Sequence, residues 1–297
     1  MIKRTRFLTF PLLIVGVLLV FASSCKKDNS IPVLSTSAVT DITQTTAISG
    51  LRRASQRQKM SGTGVWNGKS WQDLLRDGLA ALEIPASDTV LDGIRVRGAA
   101  SLEGRLSRYM DEIELFNRVF DLVGADSREG LVVRHILDSL SPWKLLVPLL
   151  SGISAPHIAD AGTGAGLPGI PLSLLFPDIP VTLIERMSRR CAFLENCCAL
   201  LSLANTAVRN VPIEQASAGA YSLVVFRAFR PLDKKMYRAL NRLLTEDGHL
   251  AAWKGKRDSI DEEMSQISEI TGDWNAIPAP VPFLDEHERH LITIARS

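Results

Sequence analysis

The chain has 297 residues, 46% of them hydrophobic and 22% charged, enough to bury one large core or two smaller ones. Its 34 Lys and Arg against 32 Asp and Glu leave a formal charge of +2, so total charge neither requires nor excludes a nucleic-acid partner and only its distribution informs. The four cysteines form no paired C-x-x-C units of the kind that bind zinc.

Lys3, Arg4 and Arg6 form a basic start, followed by an almost purely apolar run over residues 7–21 and then Ala22-Ser23-Ser24-Cys25. This is the layout of a bacterial secretory signal, too short for a comfortable membrane span. Cys25 stands where a lipoprotein signal carries its acylated residue, although Ala22 occupies a position where Leu is usual. Residues 1–25 are therefore read as a lipoprotein-type signal segment. Residues 26–68 read as a flexible linker, rich in Ser and Thr up to Gly50 and basic, with Gly and Ser, from Leu51 onward. The one or two strands suggested by residues 31–50 cannot bury a sheet face alone, and the change of character near residue 50 marks a possible fusion junction.

Residues 69–150 read as an N-terminal helical segment. Apolar positions predict helices over 71–82, closed by Pro85, and over 102–119, where Leu102, Leu106, Tyr109, Met110, Ile113 and Phe116 fall near helical spacing. A third is expected over 131–140 and a fourth over 143–150, interrupted by Pro148. From residue 151 to 297 strands and helices alternate. Strands are expected at 158–159, 181–184, 207–208, 221–226 and 248–253, with helices at 172–176, 189–203 and 232–244. A closing strand at 290–295 follows a Pro-rich loop at 277–282 and suits an antiparallel edge. Such interleaving predicts a parallel sheet with helices on both faces, a three-layer α/β sandwich.

The stretch IADAGTGAGLPGIP, residues 158–171, runs from a short strand through an acid and alternating glycines into a helix. In a doubly wound sheet this is where a nucleotide approaches the backbone. A dinucleotide site favours G-x-G-x-x-G. The acid-x-G-x-G-x-G spacing here, with Gly162 and Gly164 at its centre, fits S-adenosylmethionine better than a nicotinamide dinucleotide. Ligands of such sheets lie at the carboxyl ends of the strands. Glu185, about 23 residues after the glycine turn, ends the second strand and can accept both ribose hydroxyls. Ile213 and Glu214, after the third strand, can frame an adenine edge, and Arg227 directly follows the fourth. His135 and Asp138 are neighbours on a predicted helix and can simply pair with each other, a lone His of this kind being more often structural than catalytic.

Cys191, Cys197 and Cys198 fall on one predicted helix. Cys191 and Cys198 lie about 10 Å apart along its axis, too far for a disulfide. Three free buried thiols suit a reducing compartment, which conflicts with an export signal. Basic residues gather in three groups after strand ends: Arg186, Arg189 and Arg190; then Arg227, Arg230, Lys234, Lys235 and Arg238; then Lys254, Lys256 and Arg257. Three such groups on one rim read as a phosphate-backbone footprint.

The segments VVRHILDSL (132–140), IADAGTGAGLPGIPLSLLFPD (158–178), VTLIERMSRRCAFL (181–194), FRAF (226–229) and AAWKGK (251–256) follow in order. Together they resemble the bacterial 16S rRNA guanine-N7 methyltransferase G family, also called glucose-inhibited division protein B, over about residues 102–297. The resemblance implies a Rossmann-like methyltransferase fold behind the helical segment. It implies S-adenosylmethionine as donor and N7 of one guanine in 16S rRNA, in the small ribosomal subunit, as acceptor. Carried over by position, the cofactor contacts are Gly162, Leu167, Ile213, Glu214 and Arg227, with Glu185 as the ribose acid. Glu185 replaces the family's more usual Asp, and Ser222 stands where an acid is common. Guanine N7 carries an in-plane lone pair, so no general base is required and alignment is the main task; Arg227 is the candidate positioning residue. No metal is expected, and a cytoplasmic monomer is. The leader at residues 1–50 is at odds with that compartment and is read as a fusion or mis-assembled leader, with the enzyme starting between Leu51 and Met60. Two other readings are a surface lipoprotein acting as a binding module, which alone would bring in a membrane, and a nicotinamide-dependent dehydrogenase.

Overall fold

In the computed structural model, residues 66, 68–227 and 232–297 are described. The signal segment, nearly all of the linker, and Arg230 lie outside the described residues. Helix α1 (Trp71–Ala81) starts at Ser70, whose hydroxyl accepts the Asp73 amide, and presents Leu74, Leu75 and Leu79 to the interior. A short hairpin follows, β1 (Thr89–Leu91) and β2 (Ile94–Val96), turning on Asp92-Gly93 with both φ angles positive. The long helix α2 (Ala99–Phe120) buries the predicted stripe from Leu102 to Ile113.

The predicted third helix is not uniform. It opens as α3 (Arg128–Leu131), capped by Ser127, widens into a π-helical stretch over Val132–Leu137, and closes as α4 (Asp138–Leu140). A π turn places an extra residue in the helix and shifts carbonyl groups out of the usual ladder, an arrangement frequent at functional sites. Helix α5 (Trp143–Leu150) follows. The Trp143 indole donates to the Leu82 carbonyl at 2.9 Å and ties α5 to the end of α1.

The main sheet then builds from β3 (Ile158–Ala161), α6 (Gly169–Leu175), β4 (Val181–Glu185), α7 (Ser188–Leu200), β5 (Thr206–Asn210), β6 (Tyr221–Arg227), α8 (Lys234–Asn241), β7 (Leu244–Lys254), α9 (Arg257–Ser265), β8 (Trp274–Pro278) and β9 (His290–Ala295). Its order is β5-β4-β3-β6-β7-β9-β8. The first five of these strands are parallel; β9 runs antiparallel to both β7 and β8. The closing strand is therefore not the edge that the sequence suggested. Strand β9 is paired on both sides and β8 takes the edge instead, while Leu291 is buried in one core and Ile292 and Ile294 in the other. Pro278 fits there because a missing N–H is tolerated in an edge strand.

Alternation along the strands separates two cores. Ile158, Leu183, Leu223, Val225, Trp253 and Leu291 face the helices from α1 to α7. Ala159, Ile184, Val224, Phe226, Ile292 and Ile294 face α8 and α9. The result is a three-layer α/β sandwich. Residues 69–150 are no separate body: they share the first core with the sheet, inside one compact unit, Val65–Ser297. Among the described residues no helix is long and apolar enough to cross a membrane.

Candidate active site

The chain leaves β3 towards β4 on one side and returns to β6 on the other, so the switch point lies at the carboxyl end of β3. The glycine turn sits there. Gly162, Gly164 and Gly166 have φ of 70°, 61° and 92°, values that favour glycine. The turn is stitched to the next strand, since the amides of Gly162 and Thr163 both donate to the Ile184 carbonyl. Asp160, completely buried, organises it from below: one carboxylate oxygen accepts the Thr163 hydroxyl at 2.5 Å and the Gly169 amide at 2.8 Å. The other oxygen has no hydrogen-bond partner among the described residues. Burial raises the Asp160 pKa to about 6, against the lowering effect of those two hydrogen bonds.

A cleft of about 460 Å³ opens between this turn and the ends of β4, β5 and β6, within the range of small-molecule and cofactor sites. Gly162 forms one wall. Glu185 ends β4, almost fully buried. Its Oε2 accepts the Gly164 amide at 3.2 Å, its Oε1 accepts the Met187 amide at 2.9 Å, and the Arg190 guanidinium stands 3.7 Å away. Ile213 and Glu214 fall in a short 3-10 turn after β5 and line the opposite side with Val211 and Pro212. Arg227 closes the cleft from the end of β6.

Of the residues singled out in the sequence, Gly162, Glu185, Ile213, Glu214 and Arg227 share this cleft. Gly164 reaches it through its hydrogen bond to Glu185, whereas Leu167 is packed into the first core. Arg186, Met187, Arg190 and Met236 also line the cleft. Met236 comes from α8, a position that no local pattern in the sequence connects to the glycine turn.

The pairing of His135 with Asp138 that a helix would allow is replaced by another. Asp138 bonds Arg227 at 2.6 Å and Arg289 at 2.9 Å, while His135 turns its Nδ1 towards Arg227 at 3.4 Å. The cause is the π stretch, which aims the Arg134 and His135 carbonyls at the Arg227 guanidinium as well. Several of the rim cations are also neutralised locally: Lys234 by Glu269, Lys254 by Glu263 and Arg257 by Asp261. Arg189 lies over the Phe120 ring. Cys191, Cys197 and Cys198 are free thiols on α7, Cys198 only partly buried. No group of three or more His, Cys, Asp or Glu able to hold a metal occurs among the described residues.

The chain is 36% identical over 230 residues to the ribosomal RNA small subunit methyltransferase G of Treponema denticola, covering 69% of this chain and 90% of that protein. It is 32% identical to the protein of the same description from Ralstonia nicotianae, covering 75% and 94%. Among solved structures it is similar to a SAM dependent methyltransferase from Aquifex aeolicus, with 17% identity, a TM-score of 0.44 and coverage of 54% and 92%. The family model described as rRNA small subunit methyltransferase G matches residues 103–292. The chain belongs to that family. The rRNA small subunit methyltransferase G match begins inside α2 and ends inside β9, so it spans the cleft and nearly all of the sheet. Membership sets aside the dehydrogenase reading, and the lipoprotein reading draws no support from a match that falls wholly on the body of the chain.

Proposed function

We propose that this protein transfers a methyl group from S-adenosylmethionine to N7 of one guanine in 16S rRNA, as a cytoplasmic monomer acting on the small ribosomal subunit. The observation that carries this reading is the Glu185 carboxylate, fixed at the mouth of the switch-point cleft by the Gly164 and Met187 amides. The residues fit the donor. A buried carboxylate with acceptor capacity left over suits a ribose diol, and Ile213, Val211 and Met236 offer apolar walls for an adenine. The glycine turn lets main chain approach a ligand where a side chain would block it. Gly162, Gly164 and Leu167 serve through that turn, Glu214 through the adenine side, and Arg227 as a positioning residue.

When bound, S-adenosylmethionine supplies an electrophilic methyl on a sulfonium. The guanine N7 lone pair forms the new bond without losing a proton, so the chain needs no general base. Its residues hold the two partners in line and exclude water. The buried, neutral His135 beside Arg227 is consistent with this, because burial and then the Arg227 charge lower its pKa to about 4 and leave it a poor proton acceptor.

Calorimetry with S-adenosylmethionine tests the site. Gly162→Asp, at φ 70° and in the cleft wall, should abolish binding, and undiminished binding would overturn the assignment. Methyl transfer to small subunits, with the product mapped by cleavage at N7-methylguanine, tests the reaction. N-terminal sequencing of the native protein tests the proposal that residues 1–50 are a fusion or mis-assembled leader; a lipidated Cys25 would refute it.

A further inference from the structure

Asp138 joins three parts of the fold. It sits where the π-helical stretch ends, with a side chain only 7% exposed. Its Oδ2 accepts Nη1 of Arg227, at the end of β6, and its Oδ1 accepts Nε of Arg289, the residue before β9. The Trp253 indole, on β7, donates to its carbonyl at 3.0 Å. One carboxylate between two guanidiniums leaves one positive charge in excess. Among the described residues no second carboxylate forms a salt bridge with either guanidinium. Glu288 directs its Oε2 to the Arg257 amide, and burial keeps His135 neutral. This differs from Lys234, Lys254 and Arg257, each of which has a carboxylate of its own.

The two arginines are unequal. Arg227 has a side chain 10% exposed and bonds the Arg134 and His135 carbonyls as well as Asp138. Arg289 is 28% exposed, with Nε on Asp138 and Nη1 on the Glu288 carbonyl. Its Nη2 makes no hydrogen bond among the described residues. Arg289 is thus held one carboxylate away from the cleft wall, with its fork oriented in advance and one donor open.

Resting on the methyltransferase reading above, we infer that Asp138 is a positioning residue that fixes Arg227 and Arg289 together, and that Arg289 receives a phosphodiester of the RNA beside the target guanine. A phosphate is the fitting acceptor because guanidinium donors match its oxygens. A donor placed on N7 would instead occupy the lone pair that the reaction needs. Backbone contacts of this kind set register without reading sequence.

The test measures binding of small subunits to the full chain across a salt series, alongside S-adenosylmethionine affinity and methyl-transfer kinetics, for wild type, R289Q, R289K and D138N. R289Q should reduce the slope of log K against log salt by about one and raise the KM for RNA about tenfold, with unchanged S-adenosylmethionine affinity. R289K should restore most of the slope. D138N should lower kcat about tenfold or more as well, since it also frees Arg227; if it fails to fold, R289Q decides. A wild-type slope and KM in R289Q, or an equal loss of S-adenosylmethionine affinity, would overturn the inference. Absence of rRNA methylation by the wild type would instead overturn the reading beneath it.

Discussion

The Glu185 carboxylate accepts a hydrogen bond from the Gly164 amide across the gap between two parallel strands, at 3.2 Å. The acid at the end of β4 thus braces the turn at the end of β3, and either group is misplaced without the other. Glu185→Gln keeps an acceptor and removes the charge. Losing a charge-assisted bond costs about 1.5–3 kcal/mol, so S-adenosylmethionine affinity should fall roughly 10- to 100-fold. Calorimetry on a variant with wild-type melting temperature checks it, and unchanged affinity would remove Glu185 from the site.

The helical segment reaches the same turn from the other side. The buried Tyr109 hydroxyl, on α2, donates to the Ala165 carbonyl at 2.6 Å. Tyr109→Phe leaves that carbonyl unpaired at a cost of about 1–2 kcal/mol, which should lower the melting temperature by about 2–8 °C for a domain of this size. Donor affinity should weaken in parallel, and a loss of stability without it would show that α2 supports the fold but not the site.

Asp160 imposes a pH dependence of defined sign. Unfolded, it ionises near 3.8; folded, burial raises its pKa to about 6. Between those values the native state holds a proton that the unfolded state has released, so this group's contribution falls as pH rises and the loss is complete above about pH 6. The interval corresponds to roughly 3 kcal/mol. Asp160→Asn should therefore gain stability relative to wild type as pH increases from about 4 to 6.5. Urea titrations at a series of pH values measure that difference, and a constant difference would contradict the burial of an ionisable group there.

The α7 thiols should be inert in the native protein. Burial raises all three pKa values, most strongly for Cys197, and Cys198 is pushed up to about 11. Little thiolate exists at pH 8, and thiolate is the reactive form. Site-resolved alkylation should label Cys191, Cys197 and Cys198 only slowly before unfolding and rapidly after it. Rapid native labelling of Cys197 would mean that α7 opens readily.

Much of the sheet could be read in advance because its strands are short apolar runs separated by turn residues, and because Gly162 directly follows a strand while Glu185 and Arg227 each end one. The partners that sequence reasoning missed come from elsewhere: Met236 lines the cleft from α8, Arg289 stands behind Arg227 on Asp138 just before β9, and only the crossing order of the strands brings them near. The β1–β2 hairpin was legible in Asp92-Gly93 but masked by its length, three residues a side. The π stretch was not legible, since Val132–Leu137 has the composition of an ordinary buried helix. Its extra residue is what turns Asp138 towards two arginines rather than His135. Strand β8 was hidden by Pro278, which signals a loop unless the strand lies at an edge.

The place of β9 has a consequence for how the molecule is made. Among the described residues strand β8 pairs only with β9, and β7 takes β9 on its outer side, so residues 290–295 form a keystone inserted between two strands synthesised before it. Until that segment is made, β7 is an open edge and β8 lacks its partner among the described strands. Closure of this half of the sheet therefore waits on a strand that follows both of its partners in sequence, and is non-local, the kind of step that chain topology makes slow.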